Sequence, residues 1–230
     1  SLENLMTSRE RIRTTLRRQQ PDRVPRCEQS YWPDTLARWQ QEGMPADKSP
    51  HELFNLDGFA NIGLDNSLRL PKETVEESED WIIERDSDGV AHKSWKTRYG
   101  TPCEVDFLIK TRADWERYRE RLAPDAARIS DGVRQAIRAY ADAGTFCTIS
   151  PGEPVWWTIS TLGMENALLT LGMNPDLFAE MLEAQANLAL EMTRQLLSEG
   201  YRPDGILFSS DLCYRGGMLF SPASYRSLMM

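Results

Sequence analysis

Four short apolar runs set the frame for this chain. They fall at residues 24–29, at GFANIGLD (58–65), at TFCTIS (145–150) and at GILFSS (205–210), and a stretch of helical character follows each. TFCTIS lacks the in–out alternation of a half-solvated strand. A strand of that kind is covered on both faces, as in a parallel sheet whose crossovers lay helices over it. Strand–helix repetition predicts parallel strands joined by right-handed crossovers. A doubly wound open sheet and a (β/α)8 barrel both satisfy the pattern. No GxGxxG turn follows any of the strands, which removes the support for a dinucleotide-binding sheet.

Local signals divide the rest. Thr7 and Glu10 have the Thr-x-x-Glu spacing of a capping box, with Ile12 and Leu16 on one face of the helix that follows and Pro21 beyond its end. Helices are predicted near 34–42, 50–56, 131–143, 155–171 and 175–198. Gly144 is placed to end the third, and Pro175 and Pro222 stand at first-turn positions. Residues 72–123 differ in kind. There, apolar and polar residues alternate around DSDG, a β-hairpin turn, before the charged helix RADWERYRERL. The segment reads as an antiparallel excursion inserted into the βα scheme of a single domain spanning 1–230.

Composition narrows the function. At 230 residues and 40% hydrophobic the chain is long enough for one large core. A net charge of −8 argues against nucleic acid as a partner, since phosphate binding needs a basic face. No apolar run is long enough to span a membrane, and SLENLMTSRERIR has no signal-peptide core. Cys27, Cys103, Cys147 and Cys213 form no CxxC or HxC pair, and the two histidines are far apart, so no metal site is expected within these residues. Scattered thiols of this kind suit a reducing, cytoplasmic compartment.

Four segments, taken in order, resemble the uroporphyrinogen decarboxylase superfamily: TSRERIRTTLRRQQPDRVP (7–25), ELFNLDGFANIGLD (52–65), PGEPVWWTISTLGMENALLTLGMNPDLFAEML (151–182) and GYRPDGILFSSDLCYRGGMLFSPASYR (200–226). The resemblance implies a (β/α)8 TIM barrel, of which this chain would be the N-terminal half with about four strands. It also implies a flat tetrapyrrole over the C-terminal mouth, where barrel active sites sit. Members of the superfamily either decarboxylate uroporphyrinogen III without a cofactor, a step of porphyrin biosynthesis, or move a methyl group between a corrinoid and a thiol or folate, often with zinc. Where decarboxylases carry Arg-Gln-Ala-Gly-Arg-Tyr after the first strand, this chain has Arg26-Cys27-Glu28-Gln29-Ser30-Tyr31. Each lost charge-assisted pair to a substrate carboxylate costs roughly 1.5–3 kcal/mol in a closed site. The pyrrole-binding Asp falls on Leu64, one position before Asp65, and the decarboxylase Tyr after the third strand matches Ser160.

These departures favour the methyltransferase side. Uroporphyrinogen decarboxylation and a non-catalytic tetrapyrrole- or corrinoid-binding role are the alternatives. The resemblance places Ser210 on an active-site serine. Asp211, Ser210 and Asp65 are therefore the candidate catalytic residues, against the alternative that Asp211 caps a turn. Glu28, Gln29, Ser209, Asn66, Trp156 and Trp157 are candidate substrate contacts, although large aromatics at helix starts such as the two tryptophans more often serve packing. Glu153 is a candidate polar anchor; Cys213, without a His partner, is more readily incidental than a site thiol, and Gly216-Gly217 suits a close backbone approach to a ligand or a flexible turn equally. Corrinoid would be a bound substrate, free or on a corrinoid protein. Zinc, if used, would take ligands beyond residue 230, and a homodimer is expected from the resemblance.

Overall fold

The computed structural model describes residues 5–28 and 30–229. In chain order its main elements are α1 (Ser8–Leu16), α2 (Pro33–Gln41), α3 (Pro50–Leu53), β1 (Phe59–Gly63), β2 (Glu73–Glu77), β3 (Trp81–Arg85), β4 (Val90–Trp95), β5 (Cys103–Phe107), α4 (Arg112–Tyr118), α5 (Asp131–Asp142), β6 (Phe146–Ser150), α6 (Pro154–Leu162), α7 (Met164–Met173), α8 (Pro175–Ser198), β7 (Gly205–Ile206), β8 (Cys213–Tyr214), β9 (Gly217–Met218) and α9 (Pro222–Met229). The fold is α/β, with parallel and antiparallel sheets both present. The chain divides into two compact units. One takes the chain up to Gly63 with Ile129–Ser150 and Leu196–Leu207, and the other takes the remainder. No helix among the described residues is long and apolar enough to cross a membrane.

The first unit holds the parallel sheet, in the order β1-β6-β7. Thr7 and Glu10 form the capping box, Thr7 Oγ1 accepting from Glu10 N at 3.2 Å and Glu10 accepting from Thr7 N at 2.8 Å. Gly144, at φ +67°, turns the chain left-handed after α5, and its carbonyl accepts from Arg9 N at 2.8 Å, tying α1 to that turn. α1 and α5 pack against β6, which is buried over Phe146–Ile149. The register pairs Phe59 with Phe146 and runs to Gly63 with Ser150. Successive side chains alternate faces, so Phe59, Asn61 and Gly63 share one face with Phe146, Thr148 and Ser150. That face changes character along its length. Phe59 and Phe146 stack at 5.9 Å at the N-terminal end, whereas Asn61, Thr148 and Ser150 hydrogen-bond to one another toward the C-terminal end.

Among the described residues the parallel strands form an open sheet of three, fewer than the four expected. No strand forms over 24–28, and Gln29 lies outside the described residues. Arg26 instead makes one backbone bond with Asp57, whose carboxylate accepts from Arg26 N at 2.9 Å. A single carboxylate thus takes the place of a ladder. The last strand stops at Ile206 rather than Ser210, and Pro151 supplies the reason. Leu207 N donates to Ile149 O at 2.9 Å, and the next rung would need a donor from residue 151, where proline has none. The Ser150 hydroxyl donates to Leu207 O at 2.7 Å instead, and the ladder ends.

The second unit holds the excursion as a four-stranded antiparallel meander, β2-β3-β4-β5. The DSDG turn is as expected: Asp86 Oδ1 accepts from Asp88 N and Val90 N, both at 2.9 Å, and Gly89 takes φ +82°. The single helix expected over 155–171 is two. Gly163, at φ +79°, breaks it where a Cβ would stand 2.6 Å from the Phe107 ring.

Candidate functional site

Asp65 and Asn66 follow β1 directly, and their surroundings decide what they can do. Asp65 is half-buried, with Oδ2 accepting from Arg69 Nε at 2.6 Å and Oδ1 from Ser67 Oγ at 2.7 Å. Burial by itself would raise the Asp65 carboxyl. The bonds from Arg69 and Ser67 outweigh it and hold the carboxyl below its ordinary range. Arg69 reaches on to Asp125 at 2.7 Å and sits at φ +51°, a left-handed backbone that these two ion pairs help to hold. Behind it Arg128, almost fully buried, donates to the carbonyls of Asp65 at 2.8 Å and Ser67 at 2.9 Å, and to those of Ala123 and Arg121. Asp65 is therefore a fixed, ionised acceptor, fitted to orient a donor rather than to deliver a proton.

Asn66 is held by its backbone. Its carbonyl accepts from Gln185 Nε2 at 3.1 Å, and its side chain lies so close to Gly152 that a Cβ there would collide with it. Gln185 is fully buried, and its Oε1 has no hydrogen-bond partner among the described residues.

The network continues to a second carboxylate. Leu68 N and Trp157 Nε1 both donate to Asp88 Oδ1, at 2.9 and 3.1 Å. Burial, with Asp86 and Asp65 nearby, pushes the Asp88 carboxyl up to about 6 despite those bonds. Trp157 is buried, so its ring is packing and its indole N–H an anchor for Asp88. Trp156 is half-buried, and its backbone N–H is capped by Glu153. Glu153 thus serves as the N-cap of α6.

The structure brings Asp65 and Trp157 into one region through Ser67, Leu68 and Asp88, with Asn66 beside it on Gln185. Ser209 and Asp211 are exposed, while Ser210 Oγ is enclosed with no hydrogen-bond partner among the described residues. Glu28 is exposed in the first unit, and Gln29 falls outside the described residues. Cys213 and Gly217 pair with their neighbours in the β8–β9 hairpin, and both are exposed.

Arg69, Arg128, Asp88 and Gln185 were not among the sequence candidates. Asp88 alone left a trace, as the second Asp of a turn that needs only the first for its backbone bonds. Among the described residues no three His, Cys, Asp or Glu side chains group closely enough to hold a metal ion. No family model, curated protein or solved structure matches the chain.

Proposed function

We propose that this chain is the N-terminal half of a (β/α)8 barrel of the uroporphyrinogen decarboxylase superfamily, and that it serves methyl transfer between a corrinoid substrate and a thiol or folate acceptor. The observation that carries the proposal is the polarity gradient on the β1–β6 face, apolar where the strands begin and lined by Asn61, Thr148 and Ser150 where they end. A barrel interior has that gradient when its substrate sits over the C-terminal mouth.

In the transfer the acceptor's lone pair forms a bond to the methyl carbon as the bond from that carbon to the donor breaks. No proton need pass through Asp65. A carboxylate held ionised by Arg69 suits the work of orienting an N–H or O–H donor of the substrate. Ser210, with an unpartnered hydroxyl, and exposed Asp211 and Ser209 are offered as further polar contacts. Arg26-Cys27-Glu28 supplies one cation and one anion where an octa-acid substrate requires several cations, which weighs against decarboxylation.

The test is metal analysis of the full-length protein with a visible-spectrum titration against methylcobalamin. Bound zinc and a spectral change on adding a thiol are expected. The absence of both zinc and any corrinoid response would sink the proposal. Release of labelled carbon dioxide from carboxyl-labelled uroporphyrinogen would replace it with decarboxylation.

A further inference from the structure

The meander carries a cleft that takes no part in that function. Its volume is about 210 Å³, and Lys93, Ser94, Trp95, Arg98, Tyr99 and Thr101 contribute to its walls. No acidic side chain lines it. Lys93 Nζ stands 4.0 Å from the centroid of the Trp81 ring and 5.6 Å from that of Trp95, and Arg98 lies over Trp95 at 4.5 Å.

The cations around this sheet fall into two sets. Arg85 pairs with Glu73 and Asp106, Lys96 with Glu77 and Lys110 with Asp106. Lys93 and Arg98, the two that line the cleft, form no ion pair among the described residues. A chain with eight more acidic than basic side chains has carboxylates in excess, yet none is placed here. Two cations held against indole faces, Arg98 exposed and Lys93 half-buried, form a receptor for an anion. Beside them Tyr99 is 63% exposed and Trp95 46%, an aromatic surface that a bare inorganic anion would leave uncovered.

We propose that this cleft binds a small aromatic acid, its carboxylate between Lys93 and Arg98 and its ring against Tyr99. The volume falls below the roughly 300–1,000 Å³ of sites for drug-sized ligands, which limits the occupant to about one ring and excludes a tetrapyrrole. The proposal is thus independent of the methyl-transfer function.

Benzoate is the probe. The whole chain is titrated with benzoate, benzylamine, acetate and inorganic phosphate, following tryptophan fluorescence and ligand-observed NMR. Saturable benzoate binding is expected, about tenfold tighter than acetate or phosphate, with no response to benzylamine. Lys93→Gln and Arg98→Gln should each weaken it about tenfold, and Tyr99→Ala should reduce the advantage over acetate, all with unchanged circular dichroism. Benzoate binding no tighter than acetate or phosphate would overturn the proposal, as would equal binding of benzylamine or undiminished binding by the folded Lys93 and Arg98 variants.

Discussion

Asp57 and Asp65 flank the same strand, β1, and both are held by arginines, but only one of them faces water. Asp57 is 2% exposed and accepts from Arg11, from Arg23 at 2.7 Å and from Arg26 N at 2.9 Å, while Arg11 spends its remaining donors on Asp22 and Met6 O. Asp65 has comparable partners yet stays half-exposed. Burial tends to raise both carboxyls, and the arginine and backbone bonds keep both below the ordinary range. The same pairing chemistry therefore does two jobs. The enclosed knot fixes where the chain enters the sheet, and the open one leaves an ionised carboxylate within reach of solvent.

The largest expected effect comes from breaking the enclosed knot. Asp57→Ala removes the buried acceptor shared by Arg11, Arg23 and Arg26 N, leaving Arg11 only its pair with Asp22, and should lower stability by about 3–5 kcal/mol in a denaturant titration. A smaller change would come from Asp88, whose carboxyl is shifted the opposite way. Its folded value of about 6 lies above the ordinary 3.8, so the folded state holds the extra proton between those values. Its contribution is then fully present below about pH 4 and is lost as pH rises through about 6. Asp88→Asn should raise stability at pH 7.5, on the order of 1–2 kcal/mol, and change little at pH 4. Thermal melts at the two pH values check this, and an equal effect at both would refute it. The Asp57 and Asp65 contributions have the reverse sign, present above the unfolded carboxylate range and lost on acidification. The smallest effect is expected at Asp65. Asp65→Asn should cost at most about 1 kcal/mol, since the pair is partly exposed and Arg69 keeps Asp125, yet it should weaken methylcobalamin binding. A loss comparable to that of Asp57→Ala would show that the two knots are not different in kind.

Much of this architecture is legible in short stretches of sequence. The Thr7–Glu10 cap, the DSDG hairpin and the buried TFCTIS strand each depend on neighbours within a few residues, and each formed as expected. The failures all involve distant partners. Nothing near residues 24–28 reveals that the Asp57 carboxylate will occupy Arg26 N, and nothing in STLGMEN reveals that Phe107 will press on Gly163. The candidate site divides in the same way. Asp65 and Asn66 were visible as polar residues ending a strand, whereas Arg128 and Gln185 reach them from elements far along the chain. Pro151 is the instructive exception, because its missing donor was in plain view and its effect on the ladder became clear only with the register.

The two sheets also differ in when they can form. β1 and β6 bring together residues as far apart in the chain as Asn61 and Thr148, separated by 87 positions, while each pair in the meander joins consecutive strands. Hairpins close within about 1–10 μs, and pairings between distant segments must first meet the entropy of a long loop. The meander lies inside the loop that β1 and β6 must close, so folding it early shortens the chain left to be searched. Refolding followed by pulsed hydrogen exchange should accordingly show the backbone amides of the meander protected ahead of those of the parallel sheet.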